Sequence, residues 1–161
     1  MKMIELNLDL SEIVYDIQNK TYLTGKSRRN DTNHELVAAM QANDDDENAN
    51  QILRSISMAF STLKTKLGEY LEQTSTKGGN ALISSDKQLT LMMKMPSNYN
   101  LATIDTVAAA AHQYIVSSAI VDWFTITHKS DAGEYSAQAE VALKIIMEAV
   151  SRRIRPQRKE N

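Results

Sequence analysis

Residues 98–158 read NYNLATIDTVAAAAHQYIVSSAIVDWFTITHKSDAGEYSAQAEVALKIIMEAVSRRIRPQR, and the periodicity of this stretch decides the fold class. Leu101, Ile104, Ala108, Ala111, Ile115, Ala119 and Ile120 recur every three or four positions and lead into Trp123-Phe124, which is the stripe of a long helix capped by Asn98 or Asn100. Roughly 27 residues at 1.5 Å each make it about 40 Å long. Asp131 and Glu134 have the spacing of a capping box, and Ala132, Tyr135, Ala139, Ala142, Ile146 and Val150 carry a second helix to about residue 154. The connection between them, Thr127-His128-Lys129-Ser130, is too short for anything but antiparallel neighbours. Pro156 stops the second helix and leaves a basic tail over residues 155–161.

Upstream of this pair, Leu89, Leu91, Met93 and Met95 alternate with Gln88, Thr90, Met92 and Lys94, so one face of an extended segment is apolar. With Ala81-Leu82-Ile83 as the first arm and Ser84-Ser85-Asp86-Lys87 as the turn, the pattern predicts a β-hairpin over about 80–96, ended by Pro96. A lone hairpin is marginal in water, so its thioether-rich face needs cover, from the chain's own core or from another subunit. Further back, Ile52, Ile56, Ala59, Phe60, Leu63, Leu67, Tyr70 and Leu71 line one face of a helix from about 47 to 72, weakened near its end by Gly68. The run Asp44-Asp45-Asp46-Glu47 suits the positive N-terminus of that helix.

Residues 34–42 form a short helix, and residues 21–33, with Gly25 among turn formers and cations, read as a loop or arm. A first helix runs from Leu10 to about Lys20, after residues 3–8 whose alternation fits an edge strand or an extended lead-in. The fold class is therefore mainly α: one helical-bundle domain over 1–154 with a small β insertion and a long antiparallel C-terminal helix pair.

Composition narrows function mostly by exclusion. The chain has 161 residues, 42% hydrophobic and 24% charged, with a net charge of −2 and no cysteine, which removes disulfides, thiolate metal sites and cysteine nucleophiles. Acidic residues interrupt the N-terminus where a signal peptide needs an apolar core, and no run approaches ~18 apolar residues, so a soluble chain without a membrane partner is expected. His34, His112 and His128 lie in three segments without ligand spacing, and Gly78-Gly79 lacks the rest of a phosphate-binding loop. The acid pairs lie in solvated helix starts, where nothing raises a carboxyl into the range of a general acid. No enzyme activity, metal or cofactor is expected.

The remaining functional signal is basic. Arg152, Arg153, Arg155, Arg158 and Lys159 crowd the end of the last helix, more cations than its negative C-terminal dipole accounts for. They fit an acidic protein partner first and a phosphate backbone second, because the chain as a whole is acidic.

Taken together, the apolar arm leading to Pro96, the long helix ending in Asp122-Trp123-Phe124, the second helix opening with Ala132 and Tyr135, and the terminal Arg152-Arg153-Ile154-Arg155-Pro156 resemble the head-to-tail connector proteins of tailed bacteriophages, also called adaptor or neck ring proteins. The likeness covers about the last seventy residues and is one of architecture; residues 21–33 have no counterpart in it. The resemblance implies a structural virion protein of the neck, assembled in the host cytoplasm. It implies a homo-oligomeric ring, twelvefold by analogy, that joins the portal protein to the tail proteins and extends the channel through which DNA passes. By position, portal contact falls on Arg152, Arg153, Ile154, Arg155, Arg158 and Lys159, and contact with a neighbouring subunit on Leu89, Leu91, Met93 and Met95. The alternative is a small nucleic-acid-binding or regulatory helical protein that uses the same basic tail. A tail-terminator or head-completion role shares the virion setting.

Overall fold

In the computed structural model, which describes residues 1–74, 78–83 and 86–158, the C-terminal pair is the centre of the fold. The strands and helices in chain order are β1 (Lys2–Asp9), α1 (Leu10–Ser27), α2 (His34–Met40), α3 (Asp46–Lys66), β2 (Gln88–Met95), α4 (Ile104–Thr127) and α5 (Lys129–Val150), with a 3-10 turn at Leu101–Thr103 leading into α4. Helix α4 touches α1, α2, α3, α5 and β1. It is buried on more than one face: Tyr114, Ile115, Val116 and Ser117 are consecutive and all buried, as are Trp123 and Phe124. Four alanines in succession, Ala108 to Ala111, and Ala139 and Ala142 on α5 let the two backbones approach closely. Leu101, the first member of the expected stripe, lies outside it and is exposed.

The β element is small and antiparallel, but its pairing differs from the expected local hairpin. Strand β2 is in place, and its partner is β1 at the other end of the chain, in a register that sets Ile4 opposite Met93, Leu6 opposite Leu91 and Leu8 opposite Leu89. Residues 81–83 form no strand, and Leu82 is exposed. Three leucine or isoleucine side chains on β1 complete an apolar layer that Ala81-Leu82-Ile83 is too short to match, and burial rewards the larger surface. The opposite edge of β2 is taken by the segment that follows α3: Glu72 N donates to Met92 O at 2.9 Å and Lys94 N to Tyr70 O at 2.7 Å. That capture explains why α3 stops at Lys66 instead of running to 72. Beyond Gly68, Tyr70 N and Leu71 N still bond back to Leu67 O, while Tyr70 O and Glu72 N find partners on β2 in place of helical ones.

Helix α1 also differs from expectation, since it continues through Gly25 to Ser27 where the composition reads as a loop. Gly25 is not a breaker here. A Cβ on it would lie 3.1 Å from Val37 O and 3.5 Å from Met40 Cβ, so its bare backbone is what allows α2 to lie against α1. Thr21, buried at the first position of the segment expected as a loop, accepts from Ala42 N at 3.0 Å, and the Trp123 indole Nε1 donates to Met40 O at 2.7 Å. Together they bind the end of α2 to α1 and α4. Asp9 caps α1 by accepting from Ser11 N at 2.9 Å, and Asn100 caps the turn before α4 by accepting from Ala102 N at 3.1 Å. Among the described residues no helix is long and apolar enough to cross a membrane.

Candidate functional site

The C-terminal segment is rooted before it is released. Helix α5 ends at Val150, short of 154, because the chain there turns into a second, minimal β contact: Asn100 N donates to Arg152 O at 3.2 Å, Ile154 N donates to Asn98 O at 2.8 Å, and Tyr99 bridges Arg153. Tyr99 is fully buried, with its hydroxyl 2.8 Å from Thr103 Oγ1, which lies 3.2 Å from Ala149 O. Arg153 is drawn into this root, donating through Nη1 to Val150 O at 2.9 Å and Arg152 O at 3.1 Å, so it satisfies carbonyls left open at the helix end.

Arg152, Arg155 and Arg158 are exposed, and among the described residues no carboxylate pairs with them. Ile154 stands between two arginines at 52% exposure. The structure thus splits the five expected cations: Arg153 is structural, three are free to meet a partner, and Lys159 lies outside the described residues. The other expected contact set moves elsewhere. Leu89, Leu91, Met93 and Met95 are buried in the chain's own core with Ile4, Leu6 and Leu8, so that face is core and not a subunit interface. The reason is β1, which together with the helices beneath covers the face that a local hairpin would have left open.

Three surfaces emerge that the sequence patterns did not single out. One is the free edge of β1. Leu10 N donates to Lys87 O at 3.0 Å, and antiparallel alternation then turns the backbone groups of residues 4, 6 and 8 towards β2 and those of Met3, Glu5 and Asn7 away from it. Among the described residues nothing pairs with that outer edge. The second is a shallow groove of about 750 Å³ between α4 and α5, floored by Ala109, Ala137, Val141 and Ile145 and flanked by Asp105 and Glu134. Val141 and Ile145 fall outside the stripe that marks α5 as amphipathic, and that surplus of apolar residues was the available sign. The third is a cleft of about 1370 Å³ between α1, α3 and β2, where Val14, Leu53, Phe60 and Met92 meet Tyr15 and Lys64.

The histidines are dispersed. His112 Nε2 lies 2.5 Å from Asp16 Oδ2 and ties α4 to α1, His34 accepts from Arg29 Nε at 3.1 Å, and His128 Nδ1 lies 2.8 Å from Asp131 Oδ2. Asp131 is buried at the head of α5 and bonded to Arg28. Among the described residues no three histidine or carboxylate side chains converge as a metal ligand set. Comparison with family models, with curated proteins and with solved structures finds no match to this chain.

Proposed function

We propose that this chain is a structural subunit of an oligomeric assembly of the head-to-tail connector kind, in which copies form a ring between a phage portal and its tail. The observation that carries the reading is the C-terminal segment: Tyr99, Asn98 and Asn100 hold the backbone of its root against the bundle, while the side chains of Ile154 and of arginines 152, 155 and 158 are exposed. A segment tethered at one end and free at the other loses less entropy on docking than a wholly free one, and alternating basic and apolar residues suit a partially acidic protein surface. The groove flanked by Asp105 and Glu134 adds a second apolar surface with charge of the opposite sign, as an assembly with two unlike faces requires.

The test is mass. Light scattering of the purified chain, alone and with its portal, is expected to show oligomers or a portal complex, and a strictly monomeric chain in both cases overturns the reading. Removal of residues 152–161 is expected to abolish docking. The same three arginines favour a second reading, a phosphate backbone as partner. That reading predicts that DNA affinity falls by about one logarithmic unit per phosphate neutralised for each tenfold rise in salt. Salt-insensitive or undetectable DNA binding removes it.

A further inference from the structure

The outer edge of β1 is eight residues long, regular, and free of proline. Natural sheets shorten, charge, bulge or cover such edges, because the unpaired N–H and C=O groups template another strand. Here Met3, Glu5 and Asn7 present theirs outward, with Ile4, Leu6 and Leu8 directed into the core. An added strand would need apolar residues on the inner side to extend the core row, and cations on the outer side to meet Glu5 and Asp9.

We infer that the occupant is the C-terminal segment of a second copy, which adds as a strand to the free edge of β1 and links copies head to tail. The pattern of the segment fits on three counts. In an extended continuation from the Tyr99 bridge, Ile154 and Pro156 fall on one face and Arg155 and Gln157 on the other, giving an apolar row and a polar row that carries one cation. The backbone agrees: Ile154 N–H points to Asn98, so the N–H groups of Arg155 and Gln157 point the opposite way, and Pro156, which has none to donate, occupies a position that needs none. The charges agree as well, Glu5 on the outer face of the strand and Arg155 on the outer face of the segment. Within one copy the two do not meet, since residues 154–158 are exposed and make no hydrogen bond to residues 3–9. Because donor and acceptor are different surfaces, the contact is heterologous and closes into a ring or grows as a filament. This rests on the reading of the C-terminal segment as the docking element, and gives it a neighbouring copy, not the portal, as its first partner.

Two variants test it by sedimentation at several concentrations. Asn7→Pro removes an outward N–H from the edge and keeps the segment; truncation after Ile154 keeps the edge and the root and removes the segment. Each alone is expected to stay monomeric where the wild-type chain associates, and their equimolar mixture is expected to give a dimer and nothing larger. Glu5→Arg is expected to weaken wild-type association about tenfold, and Arg155→Glu in the same chain to restore it. Association of both single variants like that of the wild type overturns the inference and leaves the assembly reading standing. A wild-type chain that is monomeric alone but joins the portal also overturns it. A chain that is monomeric under every condition, or whose own segment is protected from proteolysis independently of concentration, overturns the link between copies, and in the absence of portal binding the assembly reading falls with it.

Discussion

Arg28, in the turn after α1, places Nη2 2.7 Å from Oδ1 of Asp131 in the first turn of α5, joining groups 103 residues apart at a carboxylate whose side chain is only 5% exposed. The hydrogen bond and the charge of Asp131 hold the Arg28 guanidinium further into its protonated form than an ordinary arginine. A raised pKa contributes stability that is fully present below the unfolded value and is lost only as pH rises through the still higher folded one, so the Arg28 contribution does not change across the neutral range. Arg28→Leu alone strands a buried charge and is expected to lower the melting temperature more than Arg28→Leu combined with Asp131→Leu. Thermal melts of the singles and the double check this, and simple additivity would contradict it.

The opposite sign applies at Asp9. The side-chain and backbone hydrogen bonds from Ser11 hold its carboxyl below the usual value of 3.8, so its contribution is present above that value and is lost as pH falls through the lower folded one. Asp9→Ala is expected to melt below the wild type at neutral pH, with the gap closing as the solution is acidified past 3.8. A gap that stays constant with pH would show that the cap acts through something other than its charge.

Trp123 is a hydrogen-bond anchor as well as a filler of space. Trp123→Phe keeps an aromatic ring and strands Met40 O, a cost of about 1–3 kcal/mol in urea unfolding. The loss is expected to fall on α2 first, visible as faster amide exchange over residues 34–42.

The unexpected strand pairing has its own discriminating pair. Leu6→Ala is expected to cost about 2–5 kcal/mol, because Leu6 is buried opposite Leu91. Leu82→Ala, on the exposed arm that a local hairpin would have used, is expected to stay within about 0.5 kcal/mol. Equal costs would restore the hairpin.

Within the basic cluster, Arg153→Ala removes a cap on the end of α5 and is expected to cost about 0.5–1.5 kcal/mol. Arg155→Ala and Arg158→Ala are expected to leave melting unchanged and to weaken assembly. A melt that responds to all three alike would make the segment structural throughout.

Much of this was legible along the chain. The stripe of α3, the antiparallel α4–α5 pair and the apolar face of β2 follow from periodicities of 3.6 and 2 and from a connection too short to allow another arrangement. What the candidate site lacked was the division of labour among its arginines. Nothing in Arg152-Arg153-Ile154-Arg155 marks the second arginine as the one turned back onto Val150 O, because that depends on Asn98 and Tyr99 arriving beside it.

Local sequence by itself determined the cores of α1, α3, α4 and α5, the extended run of β2 and its apolar face, and the basic cluster over residues 152–158, because each depends on residues within a few positions of one another. Tertiary structure alone decided that β2 pairs with β1 and not with its neighbour, that Gly25 sits inside a helix, that Arg28 meets Asp131, and that the thioether face is core. Those outcomes are contests between distant segments for the same hydrogen bonds and the same buried surface. They are settled by how much area and how many backbone groups each rival satisfies at once, a quantity that exists only after the helices have come together.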